Sequence, residues 1–463
     1  MSTKQQQQAS FAIPSPKTQN PNQPPSARLR LRSPPPGAAS HPPATMMQWW
    51  WTGVYGAIKR KKLERAVAAA PMFNNVALVV GSTGIVGAAL VDILPSPDTP
   101  AGPWKVYTLS HRPLPPWSAA APSPAVRIIS YISDPAAVAD ALAPLTDITH
   151  IFYLAWSSRP DADEACAANC DMLRNVLAAV VPKFPALVHV CLQTDRKHFI
   201  DPFEPLSGIP AVMRPYSEDL PRLQFTDLEN VLLDGIASHG GDVTWSVDRP
   251  TTIFGFSPRS ARNVVASICV YAAICGKEDV PLRWPGSRVG WEGLRDASDA
   301  ELVAEHALWA ALEPAGKNEP FNCTNGDIYT WKLLWPMLAN HFGVNQWVGY
   351  VGEDQRFKLE EVMAGKEAVW AEIVRENGLG ETGLDDITTW RFVDAVFDVD
   401  KVQLDTMNKS KEHGFLGFRN TVRSFDTWIG KMKANKLSPE VSVSSVNGRV
   451  KVNRVRIPFS VLV

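Results

Sequence analysis

Gly81-Ser82-Thr83-Gly84-Ile85-Val86-Gly87 follows directly on the apolar run Val76–Val80 and opens a stretch of helical spacing that reaches Ile93. Few folds accept that order. A short apolar run without alternation predicts a strand buried on both faces, as in a parallel sheet. Glycines straight after it allow a tight turn, close approach of the backbone to a ligand, and close packing of the next helix on the strand. The helix N-terminus then presents free N–H groups above the turn, which suits a pyrophosphate. Gly81, Thr83, Gly84, Ile85, Val86 and Gly87 are therefore the candidate phosphate cradle of a dinucleotide.

The pattern repeats along the middle of the chain. Strands are expected at 105–109, 126–130, 149–154, 187–192 and 244–247, with helices at 84–93 and 163–181. Strand–helix alternation at these spacings predicts an α/β fold, a Rossmann-type doubly wound parallel sheet. From Phe256 the pattern is mostly helical, with Trp- and Pro-containing loops that would cap the sheet and shape a pocket. The expected organisation is a cofactor-binding domain at 74–255 and a helical substrate-pocket region at 256–439. Around them lie a leader at 1–45, a Trp/basic segment at 46–73 with Trp49, Trp50 and Trp51, and a tail at 440–463 with strand-like alternation. The leader has no acidic residue and is rich in Pro and Ser. Such composition predicts a disordered leader or a transit peptide.

Composition narrows the classes. The 463 residues carry a formal charge of -1, which argues against a globally basic nucleic-acid binder. Six cysteines in a chain of this length are no disulfide scaffold and suit a reducing compartment. No apolar run reaches the roughly 18 residues of a membrane-spanning helix. The cytoplasm is the expected location, or a plastid if the leader is a transit peptide.

The residues after the second strand choose the cofactor. An acidic side chain there would hold the ribose 2′-hydroxyl of NAD. Here stand Ser110, His111 and Arg112. An arginine pairs with a 2′-phosphate through charge-assisted hydrogen bonds, so NADPH is the expected cofactor.

Several longer strings carry a resemblance. They are Asp98-Thr99-Pro100-Ala101-Gly102-Pro103-Trp104-Lys105, Gln193-Thr194-Asp195-Arg196-Lys197-His198-Phe199, Arg249-Pro250-Thr251-Thr252-Ile253-Phe254-Gly255-Phe256-Ser257-Pro258, and Asn408-Lys409-Ser410-Lys411-Glu412-His413-Gly414-Phe415. Together with the GxxGxxG spacing they resemble the plant progesterone 5β-reductase and iridoid synthase family, over roughly 47–439. The resemblance implies an extended, atypical short-chain dehydrogenase fold. It also implies NADPH-dependent reduction of the C=C bond of a small apolar enone or enal, and leaves a homodimer open. It places Lys197 at the catalytic centre, and Tyr131 and Ile132 beside the adenine, where Tyr131 replaces the family's Asp. Ala155 replaces a common Thr, and Asp195 a common Gly.

One departure touches the chemistry. The family tyrosine sits in a string N-F-Y-Y-x-x-E-D, and the matching stretch here is Leu223-Gln224-Phe225-Thr226-Asp227-Leu228-Glu229-Asn230. Phe225 or Thr226 occupies the tyrosine position, and about four residues before it are missing. Phe has no hydroxyl, and that of Thr is short and weakly acidic. Loss of one donor to a developing oxyanion typically costs about 10²–10³ in rate. A non-catalytic NADPH-binding homologue, or a gene model with wrong exon boundaries, are the competing readings. Tyr55 and Lys59 spell YxxxK ahead of the glycine loop, a chance match. Tyr153 is expected to line the cofactor site, while Tyr216 matches a non-catalytic family position.

Other constellations are weaker. Cys166 and Cys170 share a helix face without further metal ligands, so two buried thiols are expected. His306 is expected to be structural, and no GxSxG elbow is present.

Overall fold

The computed structural model describes residues 73–114, 124–159, 161–181, 183–196, 215–220, 227–238, 243–258, 260 and 262–440. Its frame is a seven-stranded sheet of β1 (Val76–Val80), β2 (Lys105–Ser110), β3 (Val126–Ile129), β4 (His150–Tyr153), β5 (His189–Gln193), β6 (Thr244–Pro250) and β7 (Glu319–Cys323). The strand order is β7-β6-β5-β4-β1-β2-β3, and every pairing is parallel. The chain runs outward from β1 in one direction and returns to continue in the other. The switch point therefore lies between β1 and β4, where an open α/β sheet has its ligand crevice. Register brings the carboxyl ends level, with Val80 opposite both Leu109 and Tyr153, and Gln193 opposite Asp248.

Both faces are covered, as the apolar run of β1 requires. Its side chains alternate between two cores. Ala77 and Val79 join α1 (Ile85–Ile93) on one face. Val76, Leu78 and Val80 join α2 (Pro135–Leu142), α3 (Ala162–Val180) and α4 (Asp227–Ala237) on the other. The first face is completed by α5 (Val264–Glu278) and α6 (Ala300–Leu312). Val264 to Cys275 is buried at every position, so α5 is apolar all round because helices surround it. Next come α7 (Trp331–His341) and α8 (Thr421–Ala434), which pack on α5. Helix starts follow local chemistry. Asp134 accepts hydrogen bonds from the N–H groups of Ala136 and Ala137 ahead of α2, Asp161 from Glu164 ahead of α3, and Asp299 from Glu301 and Leu302 ahead of α6.

The expected strands and the helices at 84–93 and 163–181 appear within a few residues of their expected bounds. The region after Phe256 is mostly helical, as expected, and it also supplies β7 to the main sheet. Glu319-Pro320-Phe321-Asn322-Cys323 has no apolar run to announce a strand. Its Pro is tolerated because β7 is an edge strand. One correction concerns the thiols of α3. Cys170 is buried, but Cys166 is only half-buried and donates to Asp227 Oδ2 at 3.5 Å. Burial pushes the Cys166 thiol up to about 12, so it is a poor nucleophile. No group of side chains among the described residues has the makings of a metal site, and none of their helices is long and apolar enough to cross a membrane.

Candidate functional site

The glycine turn has the cradle geometry. Gly81 adopts φ +86°, and a Cβ there would lie 2.7 Å from the Ala155 nitrogen, on the chain leaving β4. Gly87 sits in the first turn of α1, where a Cβ would meet the Gly81 carbonyl oxygen at 2.3 Å. Gly81 thus bends the chain, and Gly87 lets the helix close onto the bend. Gly84 donates to the Gly81 carbonyl at 2.9 Å and is the N-cap of α1. It has no side chain to cap the helix, and the first turn holds no acidic residue. The N–H groups of Ile85, Val86 and Gly87 therefore open toward an anion, with the positive end of the helix dipole behind them. These residues fit a dinucleotide pyrophosphate.

Two supports were not foreseen from sequence. Ser257 Oγ donates to the Thr83 carbonyl at 2.5 Å, and a Cβ on Gly255 would lie 2.3 Å from Ile85 Cγ2. The segment after β6 therefore clasps the cofactor turn from outside the motif. Asn169 of α3, 1% exposed, holds the loop after β4 through both the N–H and the carbonyl of Ser157, each at 2.8 Å.

At the end of β2, Ser110 Oγ donates to the Arg112 carbonyl at 2.8 Å and shapes the turn that carries Arg112 outward. The Arg112 side chain is exposed and forms no ion pair with a described residue. His111 and Tyr131 face each other with ring centroids 6.4 Å apart, tilted by 41°. Burial, and then the charge of Arg112, hold the His111 imidazole below its ordinary value, so His111 is neutral at pH 7. Arg112 is the cation of this rim. Tyr131 is 64% exposed, and the Ile132 carbonyl is fixed by Asn175 Nδ2 at 3.0 Å. Tyr153 does not line an open site. It is 1% exposed in the core under α2 and α3, and burial pushes its phenol well above the usual range.

The other half of the crevice lies past β5, β6 and β7. Asp195, where the family commonly has Gly, pairs with Arg262 at 2.5 Å, and Arg262 lies over the Trp156 ring at 4.8 Å. Arg262 thereby links the loops after β4 and β5. Arg196 is held by two carboxylates, Asp296 and Asp405, the latter at 2.9 Å. These two aspartates line a cavity of about 300 Å³ that also reaches Thr324, just past β7, and Leu404 and Met407. Lys197, Phe225 and Thr226 lie outside the described residues, as do the leader, Trp49 to Trp51 and the tail after Glu440.

Beneath the sheet ends runs a buried polar chain. Asp248 Oδ1 lies 2.8 Å from His306 Nδ1, His306 Nε2 lies 3.1 Å from Ser410 Oγ, and Ser410 donates to the Asn322 carbonyl. The side-chain order imitates a hydrolase triad. Yet His306 and Ser410 are 0% exposed, so no acyl group can reach the hydroxyl. The chain instead fastens the Asn408–Glu412 helix to α6 and the last two strands.

A family model described as a PRISE-like Rossmann-fold domain matches residues 77–439. The 3-oxo-Delta(4,5)-steroid 5-beta-reductase of Arabidopsis thaliana is 48% identical over 395 residues, which are 84% of this chain and 98% of that protein. An (S)-8-oxocitronellyl enol synthase of Nepeta cataria is 49% identical over 395 residues, with the same shares of each chain. The solved structure of the Bordetella bronchiseptica enzyme WbmH in complex with NAD+ covers 78% of this chain and 98% of its own, with a TM-score of 0.51 and 13% identity, a likeness of fold alone. A dinucleotide cradle at the switch point of a parallel sheet and kinship over nearly the full length of two plant enzymes converge, and the chain belongs to the progesterone 5β-reductase and iridoid synthase family, oxidoreductases on a Rossmann fold.

Proposed function

We propose that this protein reduces the C=C bond of a small apolar enone or enal with NADPH. The observation that carries the cofactor choice is Arg112, exposed at the end of β2 without an ion pair to any described residue, where a 2′-phosphate would lie. The reaction type is supported by the relatives, one named a 3-oxo-Delta(4,5)-steroid 5-beta-reductase and the other an enol synthase. In this reading residues 74–255 bind the cofactor and 256–439 close the substrate pocket.

The bound nicotinamide would supply a hydride to the β-carbon of the acceptor. The chain's residues do the rest. The first-turn amides of α1 hold the pyrophosphate, and Gly81 and Gly87 let the backbone come close enough to do so. Arg112 takes the 2′-phosphate, while His111 and Tyr131 flank the adenine. Lys197 would stabilise the negative charge that develops on the carbonyl oxygen. Phe225 or Thr226 at the tyrosine position removes the family's donor to that oxygen, so turnover slower than that of tyrosine-bearing relatives is expected.

The same substitution supports a second reading, a homologue that binds NADPH and does not turn over. One experiment separates them. The purified chain is given NADPH and 2-cyclohexenone, cofactor binding and oxidation are followed on one sample, and NADH is compared. Enone-dependent oxidation that prefers NADPH supports the reductase. Tight binding without oxidation supports the second reading.

A further inference from the structure

Asp195 carries a carboxylate where the family commonly has Gly, and it stands beyond the carboxyl end of β5, where part of a dinucleotide must lie. Ligands of open α/β sheets bind across those strand ends. With the pyrophosphate over the glycine turn of β1 and Arg112 past β2, the adenosine half takes the β2 side of the crevice. The strand order puts β4 and then β5 on the opposite side of β1, so the nicotinamide half extends over those two strands.

Two side chains stand past β4 and β5 at matching heights. Tyr153 of β4 is level with Leu192 of β5, and Trp156 and Asp195 each follow three residues later. Arg262 joins them. Its Nη1 donates to Asp195 Oδ2 at 2.5 Å, and its guanidinium carbon lies 4.8 Å from the centre of the Trp156 ring. One planar cation thus bonds a carboxylate and covers an aromatic ring, contacts to which arginine is suited and lysine less so. The Arg262 and Asp195 side chains are 29% and 18% exposed, so salt screens this pair less than one on open surface.

The three residues are tied to the cofactor turn. Ala155, just before Trp156, carries the nitrogen that a Cβ on Gly81 would strike. Ser157, just after it, is held by Asn169. Arg262 precedes Asn263, the buried N-cap of α5, whose Nδ2 donates to the Ser257 carbonyl at 3.0 Å. Ser257 in turn donates to the Thr83 carbonyl inside the glycine turn. Asp195 lies between Thr194, whose N–H donates to the Asp248 carbonyl at 2.8 Å, and Arg196, held by Asp296 and Asp405. Each backbone is fixed by its neighbours, and the side-chain stack ties one fixed loop to the next.

We propose that Asp195, Arg262 and Trp156 form a strap that positions the nicotinamide half of the cofactor, by holding the loops after β4, β5 and β6 as one preformed wall of the crevice. The proposal rests on the NADPH reading above and not on turnover. All three are positioning residues. A wall held in place before the cofactor arrives needs no ordering when it binds, so the complex is tighter. The adenosine half lies over β2, away from this wall, and gains nothing from it.

The test measures the dissociation constants of NADPH and of 2′,5′-ADP on the full chain by calorimetric titration. The second ligand carries the 2′-phosphate and the adenosine but no nicotinamide. D195N and R262Q each remove one charge of the bridge. Each is expected to weaken NADPH about 10-fold, the scale of one ordered side chain and one cation–aromatic contact, and to leave 2′,5′-ADP unchanged. The double variant is expected to bind NADPH no more weakly than either single one, because one missing partner already opens the strap. Unchanged NADPH affinity in either single variant overturns the proposal and leaves the cofactor reading standing. So does an equal loss for NADPH and 2′,5′-ADP, since the pair would then only brace the domain. Failure of the unaltered chain to bind NADPH overturns the cofactor reading, and the strap with it.

Discussion

At the scale of single residues, the cofactor turn is decided by what a methyl group would strike. A Cβ on Gly87 would stand 2.3 Å from a backbone oxygen that cannot rotate away. Gly87→Ala is therefore expected to destabilise the fold by about 1–3 kcal/mol, the usual cost of overpacking, and to weaken NADPH binding. Thermal unfolding and cofactor titration check this together, and an unaltered Tm and affinity would contradict it. Arg112 makes a different kind of contribution. Exposed and unpaired among the described residues, it should matter to the cofactor and not to stability. Arg112→Ala should reduce the preference for NADPH over NADH by about 10–100-fold, the worth of a charge-assisted hydrogen bond, with Tm unchanged. Comparing the two dissociation constants checks it. Both residues were legible in the sequence, because a glycine turn and the residue closing the second strand act where the chain itself puts them. Gly255 and Ser257 were not. They reach the same turn only after folding brings a segment some 170 residues away onto Thr83.

At the scale of elements, α4 is the helix that starts at Asp227, directly after Phe225 and Thr226, and a buried ion pair fixes it. Arg249 of β6 grips Glu229 of α4 with two bonds, at 3.0 and 2.8 Å, and both side chains are almost fully buried. Removing the Glu229 charge takes both of these bonds from a guanidinium held out of water. Glu229→Gln is expected to destabilise the fold by about 1–3 kcal/mol, the usual cost of losing hydrogen bonds to a charged group. Denaturant unfolding checks the value, and a loss below 1 kcal/mol would show that solvent reaches the pair. The alternation of β1 to β6 with helices was legible, since parallel strands buried on both faces leave apolar runs in the chain. β7 was not, because Glu319 and Pro320 break its run and its place is fixed by pairing with β6. The tie between Glu229 and Arg249 was equally hidden. Neither a glutamate on a helix nor an arginine at a strand end signals a partner 20 residues away.

At the scale of the whole molecule, the sheet interior sets an acid limit. His150 and His189 are opposite each other on β4 and β5 and are both buried. Burial pushes His150 down to about 4, and burial with its neighbour's charge pushes His189 well below the usual imidazole range. The folded state holds both neutral, and the unfolded chain takes up protons near 6.5. Their contribution is therefore complete above about pH 6.5, and it is lost as pH falls, through about 4 for His150. At pH 5 the loss from His150 is on the order of 2 kcal/mol. His150→Gln should flatten the fall in unfolding free energy between pH 7 and pH 5, and an unchanged slope would contradict that origin. The whole-molecule claim, hydride transfer to the β-carbon of an enone, has a more direct test. NADPH deuterated at C4 is incubated with the protein and 2-cyclohexenone, and the product is examined by mass spectrometry and NMR. Saturated cyclohexanone with deuterium at the β-carbon is the predicted result. Unlabelled enone recovered from protein saturated with NADPH would contradict it.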